Sequence, residues 1–324
     1  MGLLTYFGLR RSSIWERPTR LDKLLASPLQ WLVFRIYHLI LFLRGRPFHA
    51  HNSNPIRVVC LSDTHDNIVS NVPDGDLLIH AGDLTNSGTV EDIQKQLDWL
   101  ASLPHRHKVF VAGNHDSYFD PKSRKAVDKK QGRAPDLKGL HYLQDDMVTL
   151  EFKGGRMLNV YGAADIPECG GTDNAFQYQR HLGPWLGRIP NETDVLVTHT
   201  PPRYHLDLDL GCDNLLMEIW RVKPKLHVFG HVHWGAGRES AYYDECQKAY
   251  EIVMARPRKG ILHDLLPGSH WTNALRVVYY GLNCILWKWI MQGPGSNNAG
   301  LMVNAGQMYG NTGKLGNKAQ VVNL

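Results

Sequence analysis

The sequence predicts an α/β layered domain, and three observations predict it. Short runs of aliphatic, β-branched or aromatic residues recur at 57–65 (RVVCLSDTH), 76–83 (DLLIHAGD), 108–116 (KVFVAGNHD), 194–199 (DVLVTH) and 226–233 (LHVFGHVH). Such runs fill strands that are covered on both faces. Each one stops abruptly in Gly, Asp, Asn or His. Between the second and third runs, Val90, Ile93, Leu97 and Leu100 fall at helical spacing, with Thr89 and Asp92 in capping-box spacing ahead of them. Strand, polar loop, helix, strand is the grammar of a layered α/β domain.

In chain order, residues 1–54 form a basic and apolar extension. Arg10, Arg11, Arg17, Arg20, Lys23, Arg35, Arg44 and Arg46 face only Glu16 and Asp22 there, whereas the chain as a whole is mildly basic, with 36 Lys and Arg against 31 Asp and Glu. Within the extension, 29–43 (LQWLVFRIYHLILFL) is an apolar run interrupted by Gln30, Arg35 and His38. Crossing a bilayer takes ~20 apolar residues, so this run is too short. The stretch before it is long and broken by Pro18 and Pro28, which disfavours a secretory signal, and Tyr6 stands where a myristoylation motif requires Ser or Thr. Two readings of 29–43 stay open: an interfacial helix beside basic residues, or a helix docked on the protein's own surface.

The globular part runs over 55–324, with an insertion at 235–300. Residues 120–140 are charged and punctuated by Pro and Gly, as in a solvated loop or short helix. The stretches 147–152 and 157–162, split by Lys153-Gly154-Gly155-Arg156, read as a β-hairpin that opens a second sheet. The Gly- and Asn-rich segment 162–180 either walls the site or merely connects strands. The insertion carries a second amphipathic apolar run, 274–291 (ALRVVYYGLNCILWKWIM), which pairs with 29–43 or joins it on a membrane. A linker at 293–300 then leads to two strands, 301–306 and 319–324, that return to the core. The five cysteines (Cys60, Cys169, Cys212, Cys246, Cys284) show no paired spacing, which points to reduced thiols and an intracellular, cytoplasmic setting, peripherally on a membrane if the apolar runs bind one.

The strand ends carry the chemistry. In open α/β sheets ligands bind outside the carboxyl ends of the strands, so Asp63, His65, Asp83, Asn114, His199, His231 and His233 can converge on one crevice. Oxygen and nitrogen donors without thiolates suit Mn, Fe or Zn, with Mn favoured here, and seven donors are too many for one such ion and enough for two. Asp63, His65 and His233 can hold the first; Asn114, His199 and His231 the second; Asp83 has two oxygens with which to bridge them. Two dications outweigh two aspartates and a bridging hydroxide, which leaves a positive site for an anionic substrate. Such a pair activates the bridging water and stabilises in-line displacement at phosphorus. His115, beside Asn114, is the candidate general acid, and Asp116 can fix its ring. Arg203 and His205 are weaker candidates for binding substrate, with a solvated arginine and a turn-ending histidine as their plain readings. His80 reads as a core histidine, His105 and His107 as exposed, and Trp271, Trp287 and Trp289 as packing or interface anchors.

The motifs Asp63-Thr64-His65, Gly82-Asp83-Leu84, Gly113-Asn114-His115-Asp116, Thr198-His199 and Gly230-His231-Val232-His233 resemble those of the calcineurin-like metallophosphoesterase superfamily. More narrowly, the chain resembles its metallophosphoesterase-domain-containing (MPPED) branch. The resemblance implies two packed mixed β-sheets flanked by helices. It also implies a dinuclear centre at the matching positions, with His115 as the catalytic histidine, and a small phosphodiester, cyclic-nucleotide-like, or a phosphomonoester as substrate. It covers about 55–234 and the last two strands, leaving 1–50 and the insertion outside it. A non-catalytic metal-binding scaffold and a nuclease are the alternatives. The full ligand set speaks against the first, and the placement of the basic residues in the extension speaks against nucleic acid.

Overall fold

A computed structural model of the chain describes residues 3–12, 16–48, 54–171, 173–291 and 299–324. The chain divides into two compact units, Met1–Phe48 with Ser240–Ala299, and His49–Glu239 with Gly300–Leu324.

The larger unit is built on strands β1 (Arg57–Leu61), β2 (Leu77–Ala81), β3 (His107–Val111), β4 (His141–Tyr142), β5 (Asp146–Phe152), β6 (Arg156–Ala163), β7 (Ile166–Pro167), β8 (Gln177–Tyr178), β9 (Val195–Thr198), β10 (Leu226–Phe229), β11 (Gly237–Ala241), β12 (Gly300–Asn304) and β13 (Gln320–Asn323). The first sheet has the order β13-β1-β2-β3-β4 and the second β11-β12-β10-β9-β6-β5, while β7 and β8 form a two-stranded ribbon. In the first, β1 to β4 run parallel and β13 closes the edge antiparallel. In the second, β12, β10, β9 and β6 run parallel and β5 returns antiparallel. Both sheets are therefore mixed, as the family resemblance implied. They meet closely at Gly162 of β6, where an added Cβ would strike Val111 of β3 and Leu143.

The central strands are buried end to end, β2 and β9 at every position. That is why they read as continuous apolar runs rather than alternating ones. The helix Val90–Ser102 covers the first sheet: Thr89 caps it by accepting from the Asp92 N–H, and Val90, Ile93, Leu97 and Leu100 face inward. These side chains pack with Val59, Leu61, Leu78 and Phe110 of the strands. The hairpin forms with Gly154 and Gly155 at φ 76° and 72°, a backbone that other residues adopt at a cost. Residues 120–140 hold one short helix, Ala126–Gln131, whose side chains are exposed apart from Asp128. The last strands go one to each sheet, β12 beside β10 and β13 beside β1. His107 is partly covered, and His105, expected at the surface, is buried with its ring bonded to the Pro73 carbonyl at 3.0 Å.

The smaller unit is helical. The run 29–43 becomes the helix Pro28–Arg44, capped by Ser27, and 274–291 becomes part of the helix Ser269–Met291. The two pack together, with Gly281 lying where an added Cβ would enter Ile40. Tyr37 stacks on Tyr250 at 3.9 Å between centroids. Arg44, almost fully buried, pairs with Asp244 at 2.7 Å and lies over the Tyr242 ring. Trp287 and Trp289 are exposed rather than packed, whereas Trp271 is less exposed and donates its indole N–H to the Asp264 carbonyl at 2.9 Å. Among the described residues no single helix is long and apolar enough to cross a membrane. Most of the predicted linker 293–300 lies outside the described residues.

Candidate metal centre

Strand register brings the candidate ligands together. Leu61 of β1 stands beside His80 of β2, and the pairing continues past the strand ends, with Asp63 N–H donating to Gly82 O at 2.9 Å and His65 N–H to Asp83 O at 3.1 Å. At these ends the chain turns sharply. Asp63 (φ 54°), His65 (46°), Asp83 (54°) and His231 (65°) all adopt the left-handed region. Such backbone costs roughly 1–3 kcal/mol per residue and gathers at functional sites. Here it turns each side chain inward over the strand end. Two glycines make room: a Cβ on Gly113 would fall on the Asp83 carboxylate, and one on Gly230 on that of Asp63.

Three overlapping groups of donors result: Asp63, His65 and His233; Asp83, His199 and His231; and His65, Asp83 and His115. His65 Nε2 is 3.3 Å from His233 Nε2, which is 3.3 Å from Asp63 Oδ1. Asp83 Oδ2 stands between the sets, 3.6 Å from His65 Nε2 and 3.4 Å from His199 Nε2. Asn114 Oδ1 is 3.0 Å from both His199 Nε2 and His231 Nδ1. Metal bonds of ~2.0–2.2 Å at tetrahedral or octahedral angles put neighbouring ligand atoms ~2.9–3.6 Å apart. The donors present fit two divalent cations.

The outer atoms of the rings support that fit. His199 Nδ1 donates to Ala81 O and His233 Nδ1 to Gly310 O, both at 2.8 Å, so Nε2 is in each the ring atom left for a cation. Asn114 donates its amide to Asn174 Oδ1 at 3.0 Å, which turns its own oxygen to the site. The segment 162–180 thus reaches the centre through Asn174, a residue without a sequence signal of its own.

The site is also charged in spite of burial. Asp63, Asp83 and His199 are nearly or wholly inaccessible. Burial pushes the Asp63 carboxyl upward, but the hydrogen bond and charge of His233 hold it at about 2. Asp83 likewise is held well below the carboxylate range, burial being outweighed by His199. His199, for which burial favours the neutral form, is raised to about 9 by the Asp83 carboxylate. Burial and the neighbouring His199 charge push His231 down to about 3. Two ionised carboxylates thus draw positive charge into the crevice, which is the role a bound cation fills.

His115 is half-buried at the rim, its ring 4.9 Å from that of His65. Its N–H donates to Asp83 Oδ1 at 2.8 Å, and its ring Nδ1 bonds to the Asn86 carbonyl at 3.1 Å. Orientation of that ring, which the sequence assigned to Asp116, belongs to Asn86. Asp116 points the other way: its carboxylate accepts from the N–H groups of Leu84, Thr85 and Gly113 and from the Thr85 hydroxyl. Burial, with the Asp83 charge, raises it to about 6. It ties the Asp83 and Asn114 loops together and does not touch the His115 ring. Of the weaker candidates, His205 is buried in a 2.7 Å pair with Glu239, and Arg203, partly exposed, donates to the Asp209 carbonyl of its own loop.

Two buried histidines brace the ligands from behind. His80 Nε2 lies 3.0 Å from the hydroxyl of Thr64, between ligands Asp63 and His65. His227 Nε2 lies 2.8 Å from that of Thr198, which precedes His199 and spends its own proton on the Thr200 carbonyl. His227 therefore donates from Nε2 and leaves Nδ1 as a buried lone pair. Burial lowers both rings to about 3, so both are neutral.

A family model described as calcineurin-like phosphoesterase matches residues 56–235, the span that carries all seven donors and His115. The chain belongs to that family. Its relatives include metallophosphoesterase domain-containing protein 1 of Homo sapiens, 36% identical over 230 residues, covering 60% of this chain and 69% of that one. A UPF0046 protein of Caenorhabditis elegans is 38% identical over 194 residues, covering 55% and 63%. A probable rhamnogalacturonate lyase C of Emericella nidulans is 41% identical over 260 residues, 79% of this chain but 23% of that protein. The chain thus spans less than a quarter of the lyase-named protein and about two thirds of the other two.

Proposed function

We propose that this calcineurin-like phosphoesterase hydrolyses a small organic phosphodiester, cyclic-nucleotide-like, or a phosphomonoester. The carrying observation is that two sets of buried donors meet at one carboxylate, Asp83, with a half-buried histidine at the rim. Asp63, His65 and His233 would hold one divalent cation and Asn114, His199 and His231 the other, with Asp83 shared; Mn is favoured over Fe and Zn. Two such cations would supply Lewis acidity to the phosphoryl group and lower the pKa of a bound water. The chain's own part is to exclude bulk water, to fix the ligands and to move one proton. With Nδ1 tied to Asn86, His115 gives a proton from Nε2 to the leaving alkoxide oxygen as its bond to phosphorus breaks and the bond from phosphorus to the attacking water oxygen forms, and the proton that the water sheds returns to Nε2.

Nucleic acid is disfavoured as a substrate, because the catalytic unit carries 22 Lys and Arg against 25 Asp and Glu. Five free thiols support an intracellular, cytoplasmic location. The exposed apolar residues of 29–43 and 274–291 support peripheral attachment to a membrane.

The test is turnover of bis-p-nitrophenyl phosphate and p-nitrophenyl phosphate by metal-stripped protein before and after addition of Mn, with Asp83→Asn as the control. Mn-dependent diester turnover that disappears in Asp83→Asn supports the reading. Two ions bound per chain with no turnover on either substrate would sink it in favour of a scaffold.

A further inference from the structure

We propose that the helical unit docks on an anionic lipid surface through one stripe of the helix Ser269–Met291. This rests on the membrane reading above and narrows it to one face and one lipid charge. Leu275, Tyr279, Leu282, Leu286, Trp289 and Ile290 are 62%, 63%, 55%, 55%, 72% and 72% exposed. Their spacing places them on a single side of the helix. His270, Ala274, Val277 and Gly281 are buried on the opposite side, where the helices Pro28–Arg44 and Glu245–Met254 pack against it. The stripe is therefore not needed to hold the helix in place. At 1.5 Å per residue it is ~22 Å long, short of the ~30 Å bilayer core. That length suits lying in the interface, and Tyr279 and Trp289 have the amphipathic rings that favour headgroup depth.

A second copy of the chain or one partner helix would cover one stripe, but large apolar side chains are exposed on three further segments of this unit. Leu39 and Phe42 are exposed on Pro28–Arg44, Leu262 and Leu265 on Ile261–Leu265, and Leu3 and Tyr6 on Leu3–Tyr6. An extended apolar medium, unlike a single partner helix, can take up more than one such segment. Charge selects the kind of lipid. The unit carries 14 Lys and Arg against 6 Asp and Glu, net +8. Arg17, Arg20, Arg35, Arg46, Lys259 and Arg276 are exposed, while Asp244 is paired with Arg44 and both Glu251 and Asp264 are buried. Basic residues beside an interfacial helix favour anionic headgroups.

The experiment is flotation of the full chain with phosphatidylcholine vesicles and with phosphatidylcholine–phosphatidylserine vesicles, at low and high salt. It is repeated with Leu282→Ser/Leu286→Ser/Trp289→Ser, and sedimentation velocity is run on both proteins. We expect ~10-fold or greater preference for the anionic vesicles, weakened by salt, and ~10-fold or greater loss in the triple variant. Equal binding to both vesicles would overturn the anionic selection and leave membrane attachment standing. Binding to neither overturns both. Anionic binding unchanged in the triple variant removes the stripe from the contact. A dimer that the triple variant dissolves, without lipid binding, would make the stripe an interface between copies.

Discussion

The two units break the ordinary rule of apolar inside and charged outside in opposite directions. The catalytic unit buries charge: Asp63, Asp83 and His199 are out of reach of solvent and ionised by one another. The helical unit exposes apolar surface: with about one third of the residues, it holds 23 of the 30 exposed large hydrophobic side chains among the described residues. Their net charges also oppose, −3 against +8. Neither departure helps its unit fold, since buried charge pays desolvation and exposed apolar surface forfeits burial. Departures of that kind mark the places where a molecule meets something else. In one unit the donors fit divalent cations; in the other the visitor we propose is a lipid surface.

The hardest blow to the catalytic half of this contrast is Asp83→Asn, which removes the shared carboxylate. Loss of several kcal/mol of electrostatic stabilisation predicts a ~10³-fold drop in kcat/KM for the diester. Turnover within a few-fold of the parent would place the chemistry elsewhere. His115→Ala comes next, with ~10²-fold loss on an alkyl ester and far less on a nitrophenyl ester, whose leaving group needs no proton. Equal losses on the two would mean that His115 is not the acid.

Acid sensitivity separates the braces from the ligands. Burial holds His227 and His80 at about 3, whereas an ordinary histidine titrates near 6.5. Between these values the unfolded chain takes up protons that the folded one refuses, so stability falls as pH drops from ~6.5 towards 3. Each ring accounts for about 2 kcal/mol by pH 5. Urea unfolding of His227→Gln at pH 7.5 and 5.0 should therefore lose about 2 kcal/mol less than the parent, and an identical loss would show that His227 is protonated in the fold. His80→Leu should weaken metal binding ~10-fold, read from cobalt titrations, because Thr64 loses its anchor between two ligands. Undisturbed cobalt affinity would reduce His80 to packing. The smallest effect belongs to the other unit. Leu282→Ser should change unfolding free energy by no more than ~0.5 kcal/mol, since its side chain is already in solvent. A larger loss would mean that the stripe is covered within the protein.

Amino-acid order alone determined the strands and the ligand types. Five runs buried on both faces must be apolar throughout, and each ends where a carboxylate, an amide or an imidazole follows, so Asp63, Asp83, Asn114, His199 and His231 could be read without coordinates. The hairpin at Gly154-Gly155 and the helix capped by Thr89 were legible for the same reason: their determinants lie within a few residues of each other. Tertiary structure decided what distant chain segments do to one another. That His115 leans on Asn86 and not on its neighbour Asp116 depends on a backbone carbonyl, which every residue type possesses and no sequence pattern reveals. His105 and His205 became buried because Pro73 and Glu239 came to meet them. The apolar runs 29–43 and 274–291 could be read as amphipathic, but their periodicity could not say which face packs inward. Only the packing of Gly281 against Ile40 did, leaving the stripe from Leu275 to Ile290 facing out.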